Sequence, residues 1–200
     1  MTWARKLEQA LTARLGDKVV FIDGWREVKR KPWPRTGVPV ALMAHHTAGA
    51  ATDSTSPTHP GNRKGANMGV VRFVHNAGGI PKSNFTLDRD GTVYVSNAWP
   101  VHHAGLGSFK GVKQFAGLMI PDDAGNDYML GVEIVSKGLK RDFTKAQKDS
   151  FGLLANACRE AAGWRGFYMR LPNHKTWAPS RKIDTRYTLL ALRRWARKHA

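Results

Sequence analysis

The sequence predicts an α/β domain in which helices flank a central mixed β-sheet. Helical and strand-like hydrophobic patterns alternate along the chain, as they do when helices pack against a sheet. The composition is that of a globular protein, with 42% hydrophobic and 24% charged residues. A length of 200 residues suits one compact domain, so we expect residues 1–200 to fold as a single unit.

The first quarter of the chain predicts a helix, a loop and a strand. Apolar side chains recur every four residues over 2–15, and Gly16 is suited to end this helix. Two prolines interrupt the basic stretch 29–36, which is typical of a loop. The mostly apolar run 38–45 then predicts a buried strand with polar residues at its carboxyl end.

The second quarter predicts a long loop, a short helix and a hairpin. Residues 50–65 are rich in Thr, Ser, Pro and Gly, which favours a loop, and 67–76 has the spacing of a helix. Residues 84–96 alternate apolar and polar side chains on both sides of Asp90-Gly91. This pattern predicts a β-hairpin.

The second half predicts an irregular segment, a strand and a capped helix. Glycines are spread through 106–129, and the apolar run 130–136 that follows contains one acid, Glu133. Thr144 and Gln147 have the spacing of a capping box, so we expect a helix to begin there.

The chain ends in a predicted basic helix over about residues 186–198, beyond a core of about 38–184. Apolar residues at helical spacing mark it, and most of its other positions are arginine or lysine. Cys158 lies on the apolar face of the preceding helix and is expected to be a small core residue.

The balance of charge is strongly basic. Lysine and arginine number 32 against 15 acidic residues, which leaves a formal net charge of +17 and a pI of about 10.5. Such a chain attracts a polyanion: nucleic acid, an anionic membrane surface or an anionic cell-wall polymer. The sequence has no helix-turn-helix, zinc-finger or RNA-recognition signature, so we expect nucleic acid not to be the main partner.

Several classes are excluded by composition. One cysteine allows neither an intrachain disulfide nor a cysteine-rich zinc site. No apolar run approaches the ~20 residues that span a bilayer. Residues 1–16 lack the apolar stretch of a secretory signal, so we expect neither a membrane span nor a signal peptide.

Eight histidines are the candidates for metal binding or acid–base catalysis. His45 and His46 end a predicted strand, where side chains emerge at the sheet edge. His174 and Asp184 are separated by a proline loop that can bring them to one point. With a strand-end histidine they would form the ligand set of a catalytic zinc site, although such residues are also common in ordinary loops. Three further histidines carry a weaker signal: His59, His75 and His199.

Five motifs stand in the order seen in type 2 N-acetylmuramoyl-L-alanine amidases: ALMAHHTAG, SNFTLDRDGTVYVS, WPVHHAG, LGVEIVS and NHKTWAPSRKID. From about residue 38 to residue 184 the chain resembles this superfamily, which includes amidase-type phage lysozymes, wall-recycling amidases and peptidoglycan recognition proteins. The resemblance implies the amidase type 2 fold and one zinc ion per chain. It assigns the zinc ligands to His45, His174 and Asp184.

The resemblance also implies two catalytic residues. Glu133 matches the catalytic glutamate of the wall-recycling branch and would act as a general base that later protonates the leaving amine. Lys182 would stabilise the oxyanion with its charge. The alternatives are a solvent-facing strand residue and a solvated surface lysine.

Two further residues match motif positions that would face the substrate. His103 would orient the peptide or the sugar-side carbonyl, and the Asn84 amide would contact substrate. A structural role is the alternative for both. Ser83 departs from the tyrosine that many family members carry at this position, and its shorter side chain shifts the expected acid–base role to Glu133.

The implied activity is hydrolysis of the amide bond between N-acetylmuramic acid and L-alanine in peptidoglycan, by a phage endolysin or its catalytic part. Such a protein would be made in the host cytoplasm and would reach the wall after holin-dependent release. We expect peptidoglycan and anionic wall polymers as partners, and a monomer. Two alternatives stay open: a non-catalytic recognition module and a cytoplasmic wall-recycling amidase.

Overall fold

The computed structural model describes residues 1–34, 37–48, 67–76, 78–166 and 170–200. The predicted loop over 50–65, His59 and the last two residues of the predicted loop 29–36 lie outside the described residues.

A five-stranded mixed sheet forms the centre of the described structure, in the order β1-β4-β3-β5-β2. Its strands are β1 (Val19–Phe21), β2 (Ala41–His46), β3 (Phe85–Leu87), β4 (Val93–Val95) and β5 (Met129–Ile134). The predicted hairpin of β3 and β4 is antiparallel, and the other neighbouring pairs are parallel. The predicted mixed sheet is therefore confirmed. The short strand β1 is an addition, because three residues carry no periodic signal.

Helices lie on both faces of the sheet. They are α1 (Trp3–Leu15), α2 (Met68–His75), α3 (Gly125–Tyr128), α4 (Lys145–Ala162), α5 (His174–Trp177) and α6 (Leu189–Lys198), with 3-10 turns at Gly16–Lys18 and Lys113–Leu118. The four helices expected from periodicity and capping are confirmed, with small shifts at their ends. The one-turn helices α3 and α5 were not predicted, because a single turn has no periodicity to read.

Local chemistry accounts for the ends of two of these elements. β2 begins later than predicted because Pro39, which has no N–H to donate, precedes it. α4 begins at the predicted capping box: the Gln147 N–H donates to the Thr144 hydroxyl and the Thr144 N–H donates to the Gln147 side chain, each at 3.0 Å.

One face of the sheet carries the main core. The core residues of β2 and β5 pack with β3 and β4 against α1, α4 and α6; they are Leu42, Ala44, Leu130, Val132 and Ile134. Cys158 of α4 is fully buried there, as expected. In the described part of the chain, no helix is long and apolar enough to cross a membrane.

The opposite face is apolar at one end and polar at the other. Met43 and Met129 lie in a second, smaller cluster around the buried Trp177. Because successive side chains alternate between faces, His45 and Glu133 project on this same side, toward the carboxyl ends of their strands. The sheet therefore places two titratable side chains side by side at one edge.

Candidate metal centre and catalytic cleft

The end of β2 and the start of α5 bring two histidines together. Ala44, the neighbour of His45 in β2, pairs with Asn173 in a short parallel bridge. The Asn173 side chain caps α5, whose first residue is His174. This arrangement places the His45 and His174 rings edge to face, with centroids 4.4 Å apart.

Asp184 completes a buried cluster from the loop that follows α5. Its Oδ2 lies 3.1 Å from His174 Nδ1 and 3.4 Å from His45 Nδ1, and the two Nδ1 atoms are 2.9 Å apart. Exposure is only 1% for His45, 3% for His174 and 8% for Asp184. The three residues that the sequence analysis expected to bind zinc therefore lie at one point.

These three groups fit a divalent metal ion such as zinc. Their candidate ligand atoms all lie within 4.8 Å of one another. Two imidazole nitrogens and one carboxylate oxygen form a ligand set of catalytic zinc, which leaves a further position open. Among the described residues, this is the one such group of histidine, cysteine or acidic side chains.

The electrostatic environment favours the deprotonated forms that bind a metal. Burial lowers the pKa of His45 to about 4. Burial opposes ionisation of Asp184, but its contacts with His174 and His45 outweigh that effect and hold the pKa of the carboxyl below its usual range. Metal ligands must be deprotonated, so a neutral imidazole and an ionised carboxylate are suited to the role.

Glu133 lies directly across from His45 in the register of β2 and β5. Burial, reinforced by the nearby Asp184 carboxylate, raises the pKa of Glu133 to about 8, and Lys182 opposes this shift. Its Oε2 is buried and has no hydrogen-bond partner among the described residues. A carboxyl group in this setting is poised to exchange a proton near neutral pH.

A cavity of about 960 Å³ opens over this cluster. Glu133, Lys182, His174 and Asp184 all line it, so the predicted catalytic residues face the same space as two of the predicted ligands. Among the described residues that line it, the remaining charged side chains are cationic: Lys82, Lys137, Arg181 and Arg186. The cleft therefore suits an anionic substrate.

The structure gives His103 partners within the protein. His103 also borders the cavity, but both of its ring nitrogens are engaged: Nδ1 lies 3.1 Å from His45 Nε2, and Nε2 lies 2.8 Å from the Met129 carbonyl oxygen. Neither nitrogen is left to orient a peptide or a sugar. This geometry favours the structural alternative for His103.

Asn84 is fully buried and is not among the residues that line the cavity. Its amide nitrogen donates to the carbonyl oxygens of Asn97 and Trp99, and its Oδ1 accepts from the Gly131 N–H. Asn84 thus joins the start of β3 to β5 and to the segment after β4, and this geometry favours the structural alternative for Asn84.

The remaining predicted positions lie apart from the cluster or at its rim. Ser83 is fully buried and does not line the cavity. His46 and His102 border the cavity without joining the three-residue cluster. His75 and His199 lie in α2 and after α6.

Sequence reasoning missed two polar residues that support the cluster. Asn173 precedes His174 and caps α5 through Thr176, a spacing that the sequence does display. Asn126 bonds the backbone of His103 and Ala104 from a distant segment, and no local pattern indicates that contact.

A layered α/β fold with a buried His-His-Asp cluster in a basic cleft defines a candidate metal-dependent hydrolase. The chain belongs to the Amidase_2 family, N-acetylmuramoyl-L-alanine amidase, whose family model matches residues 35–186. Helices α1 and α6 lie outside this range and pack on the main core.

Solved structures of this superfamily share the fold at low sequence identity. The Ph2119 endolysin of the Thermus scotoductus MAT2119 bacteriophage Ph2119 aligns with a TM-score of 0.53 and 15% identity, over 89% of this chain and 98% of that one. The N-acetylmuramoyl-L-alanine amidase LysC from Clostridium intestinale URNW aligns with a TM-score of 0.53 and 13% identity, over 88% and 95%. AmpDh3 from Pseudomonas aeruginosa, in complex with anhydromuramic pentapeptide, aligns with a TM-score of 0.52 and 16% identity, over 82% of this chain and 60% of that one. The predicted fold and superfamily are thereby confirmed.

No protein with a curated description matches the chain in sequence.

Proposed function

We propose that this protein is a zinc-dependent N-acetylmuramoyl-L-alanine amidase that cuts the amide bond between N-acetylmuramic acid and L-alanine of the stem peptide. One observation carries the proposal: His45, His174 and Asp184 converge beside Glu133 and open into a basic cleft. Zinc held by these three residues would polarise the scissile carbonyl and acidify water.

Glu133 supplies the proton transfers in this proposal. Amide hydrolysis needs a base to take a proton from the attacking water and an acid to protonate the departing amine. A single carboxyl group does both in turn when its pKa lies near the working pH. Burial raises the pKa of Glu133 to about 8, which places it in that range.

Lys182 supplies positive charge for the oxyanion. It lines the cavity with Glu133, and its charge acts on both His45 and Glu133. A fixed cation is most effective where charge develops in the transition state, in a site from which water is largely excluded.

Peptidoglycan is the proposed substrate. The family to which the chain belongs is described by activity on N-acetylmuramoyl-L-alanine, and the similar AmpDh3 structure holds an anhydromuramic pentapeptide. Stem peptides carry carboxylates, and the cationic side chains of this cleft are suited to attract them. The net charge of +17 would add attraction to anionic wall polymers.

The proposed setting is lysis of a bacterial cell by a phage endolysin. The similarity to the Ph2119 endolysin and the strongly basic charge support this setting. In this proposal residues 1–200 act as a monomeric amidase domain that reaches the wall after holin-dependent release.

Digestion of purified peptidoglycan with and without a chelator tests the activity. We expect new free L-alanine amino groups that disappear on chelation and return when zinc is restored. New reducing sugar ends, or digestion that is indifferent to the chelator, would contradict the proposal.

Glu133→Gln is the matched variant for this experiment. The amide keeps the size of the side chain but cannot accept the proton from water, so we expect a loss of about 10²–10⁴-fold in cleavage with the bound zinc retained. A variant that still binds peptidoglycan and cleaves it at the natural rate would remove Glu133 from the mechanism. A natural protein that binds peptidoglycan without cleaving it would favour a recognition module.

A further inference from the structure

The Nε2 atoms of both candidate ligand histidines bond to one dipeptide, His103-Ala104. His174 Nε2 lies 2.9 Å from the carbonyl oxygen of Ala104. His45 Nε2 lies 3.1 Å from Nδ1 of the preceding residue, His103. Two ligands that come from elements far apart in sequence are thus held by one short segment between β4 and α3.

The chemistry of these contacts decides which nitrogen carries the proton. A carbonyl oxygen only accepts, so His174 must carry its proton on Nε2 to bond Ala104. His103 must likewise carry a proton on Nε2, which lies 2.8 Å from the Met129 carbonyl oxygen. A neutral imidazole has one N–H, so the Nδ1 of His103 accepts and His45 Nε2 donates to it.

In their neutral forms, both ligand histidines consequently present an unprotonated Nδ1 to the metal site. These are the nitrogens that lie 2.9 Å from each other and near Asp184 Oδ2. Three electron-pair donors that face one another favour a cation between them. Without the outer contacts, each imidazole would be able to place its proton on Nδ1 and block the site.

Asn126 holds the dipeptide in place. Its Oδ1 accepts from the backbone N–H of His103 at 2.8 Å and from that of Ala104 at 2.7 Å. Asn126 belongs to α3, which leads into Met129, the residue whose carbonyl oxygen accepts from the His103 ring. The junction of α3 and β5 therefore fixes both the backbone and the ring of this segment.

The space for the His103 ring is also built into β5. A Cβ atom at Gly131 would lie 2.6 Å from a carbon of the His103 ring, closer than any real contact. Only glycine at this position leaves room for the imidazole to lie between β5 and His45.

We propose that His103 and Asn126 are positioning residues of the metal centre, which hold His45 and His174 with Nδ1 unprotonated and directed at the ion. The outer partners of metal-bound histidines orient the rings and tune affinity, and their loss typically costs about 10–100-fold in metal binding. This role rests on the proposed metal site, and it also predicts which nitrogen of each ring carries the proton in the metal-free protein.

Matched variants separate positioning from general stability. His103→Asn keeps an acceptor at the place of Nδ1, whereas His103→Gln keeps a group at the place of Nε2 and leaves the His45 N–H without its acceptor. We expect zinc affinity, measured by competition with a chelating dye, to fall about 10–100-fold in His103→Gln and much less in His103→Asn.

Asn126 offers a second matched pair. Asn126→Ala removes the acceptor of both backbone N–H groups and is expected to weaken zinc binding, whereas Asn126→Asp retains an oxygen there and is expected to preserve most of it. Gln114→Ala is the control, because Gln114 lies in the same stretch between β4 and α3 and its side chain accepts a hydrogen bond from Arg193 of α6. Equal zinc affinity in the natural protein, His103→Gln and Asn126→Ala would overturn the proposal.

The metal-free natural protein gives a direct test that needs no folded variant. Nitrogen-15 spectra of labelled histidine rings distinguish the two neutral tautomers. At a pH at which the rings are neutral, we expect His45 and His174 to carry their protons on Nε2; a neutral ring with its proton on Nδ1 at either position would refute the proposal. If the natural protein binds no zinc while both rings show the Nε2–H form, the proposed zinc-dependent function fails, while the orientation of the two rings by His103 and Ala104 stands.

Discussion

Glu133 and Ile134 are neighbours in β5, but they point to opposite faces of the sheet and their surroundings differ. Ile134 is fully buried in the main core, where apolar side chains of three other strands and of the helices surround it. Glu133 faces the cleft, and its Oε2 has no hydrogen-bond partner in the described part of the chain. The face that carries Ile134 buries apolar side chains against one another, whereas the face that carries Glu133 buries ionisable groups at its carboxyl end.

These buried ionisable groups lie where the hydrolytic reaction is proposed to occur. An acid whose charge is disfavoured by burial lies beside the His45 imidazole and the Asp184 carboxylate, which both favour their deprotonated forms. Each of these polar groups costs desolvation free energy when it is buried with no ion bound. The apolar face is expected to supply the stability that offsets them, as in other proteins whose active sites carry destabilising groups.

Truncation on the apolar face is expected to give the largest change in stability. Ile134→Ala removes buried methyl groups from a closely packed core, so we expect a loss of about 2–5 kcal/mol in the free energy of unfolding. The folded variant should bind zinc as the natural protein does, because the altered side chain points away from His45 and Glu133. Urea unfolding and zinc titration below the unfolding transition measure the two quantities.

Loss of zinc from the folded Ile134→Ala variant would break the comparison of the two faces. It would mean that the core side of β5 sets the geometry of the cleft side. Val95→Ala, on the same face but in β4, is the control for a core change more distant from the metal site.

Much of this arrangement was accessible from the sequence, because it rests on local signals. The hairpin has a turn dipeptide, α4 has its capping box, and His45 ends an apolar strand. The resemblance to the amidases then named His174, Asp184 and Glu133, which the fold brings together or places side by side.

The supporting contacts were not accessible for a physical reason. Asn126 reaches the backbone of His103 across 23 positions, from a one-turn helix that has no periodicity. Asn84 was expected to contact substrate, but whether a side-chain amide faces a cleft or three backbone groups depends on strand pairing, which its own sequence neighbourhood does not encode.

Removal of the charge from Glu133 is expected to change the free energy of unfolding less than Ile134→Ala does, and in the opposite direction. The pKa of Glu133 is raised to about 8 in the folded protein from about 4.5 in the unfolded chain, so between these values the folded state holds the proton that the unfolded state releases. The stability of the metal-free protein therefore falls as pH rises through this window. Glu133→Gln lacks this term, so we expect it to be more stable than the natural protein by on the order of 1–3 kcal/mol at pH 9 and nearly equal at pH 4.

Glu160→Gln provides the control with the reverse sign. Glu160 lies in α4 and bonds Arg14 of α1, which lowers the pKa of this carboxyl. Its contribution is present above the unfolded pKa and is lost as pH falls, so its removal should cost a little stability at pH 9 and none at low pH. If Glu133→Gln and Glu160→Gln shifted the free energy of unfolding at pH 9 in the same direction, the contrast between the two faces would lack an electrostatic basis.

The smallest expected effect concerns the outer surface of the helical layer. Arg194 and Arg197 of α6 are exposed, and this helix packs on the main core, on the other face of the sheet from the cleft. We expect Arg194→Gln with Arg197→Gln to weaken association with intact walls about two- to tenfold at low salt, with little effect at high salt. Cleavage of a small soluble muropeptide should be unchanged, because it depends on the cleft alone. Wall association that is unaltered at low salt would assign the electrostatic attraction to the cationic cleft and leave the helical face to stability.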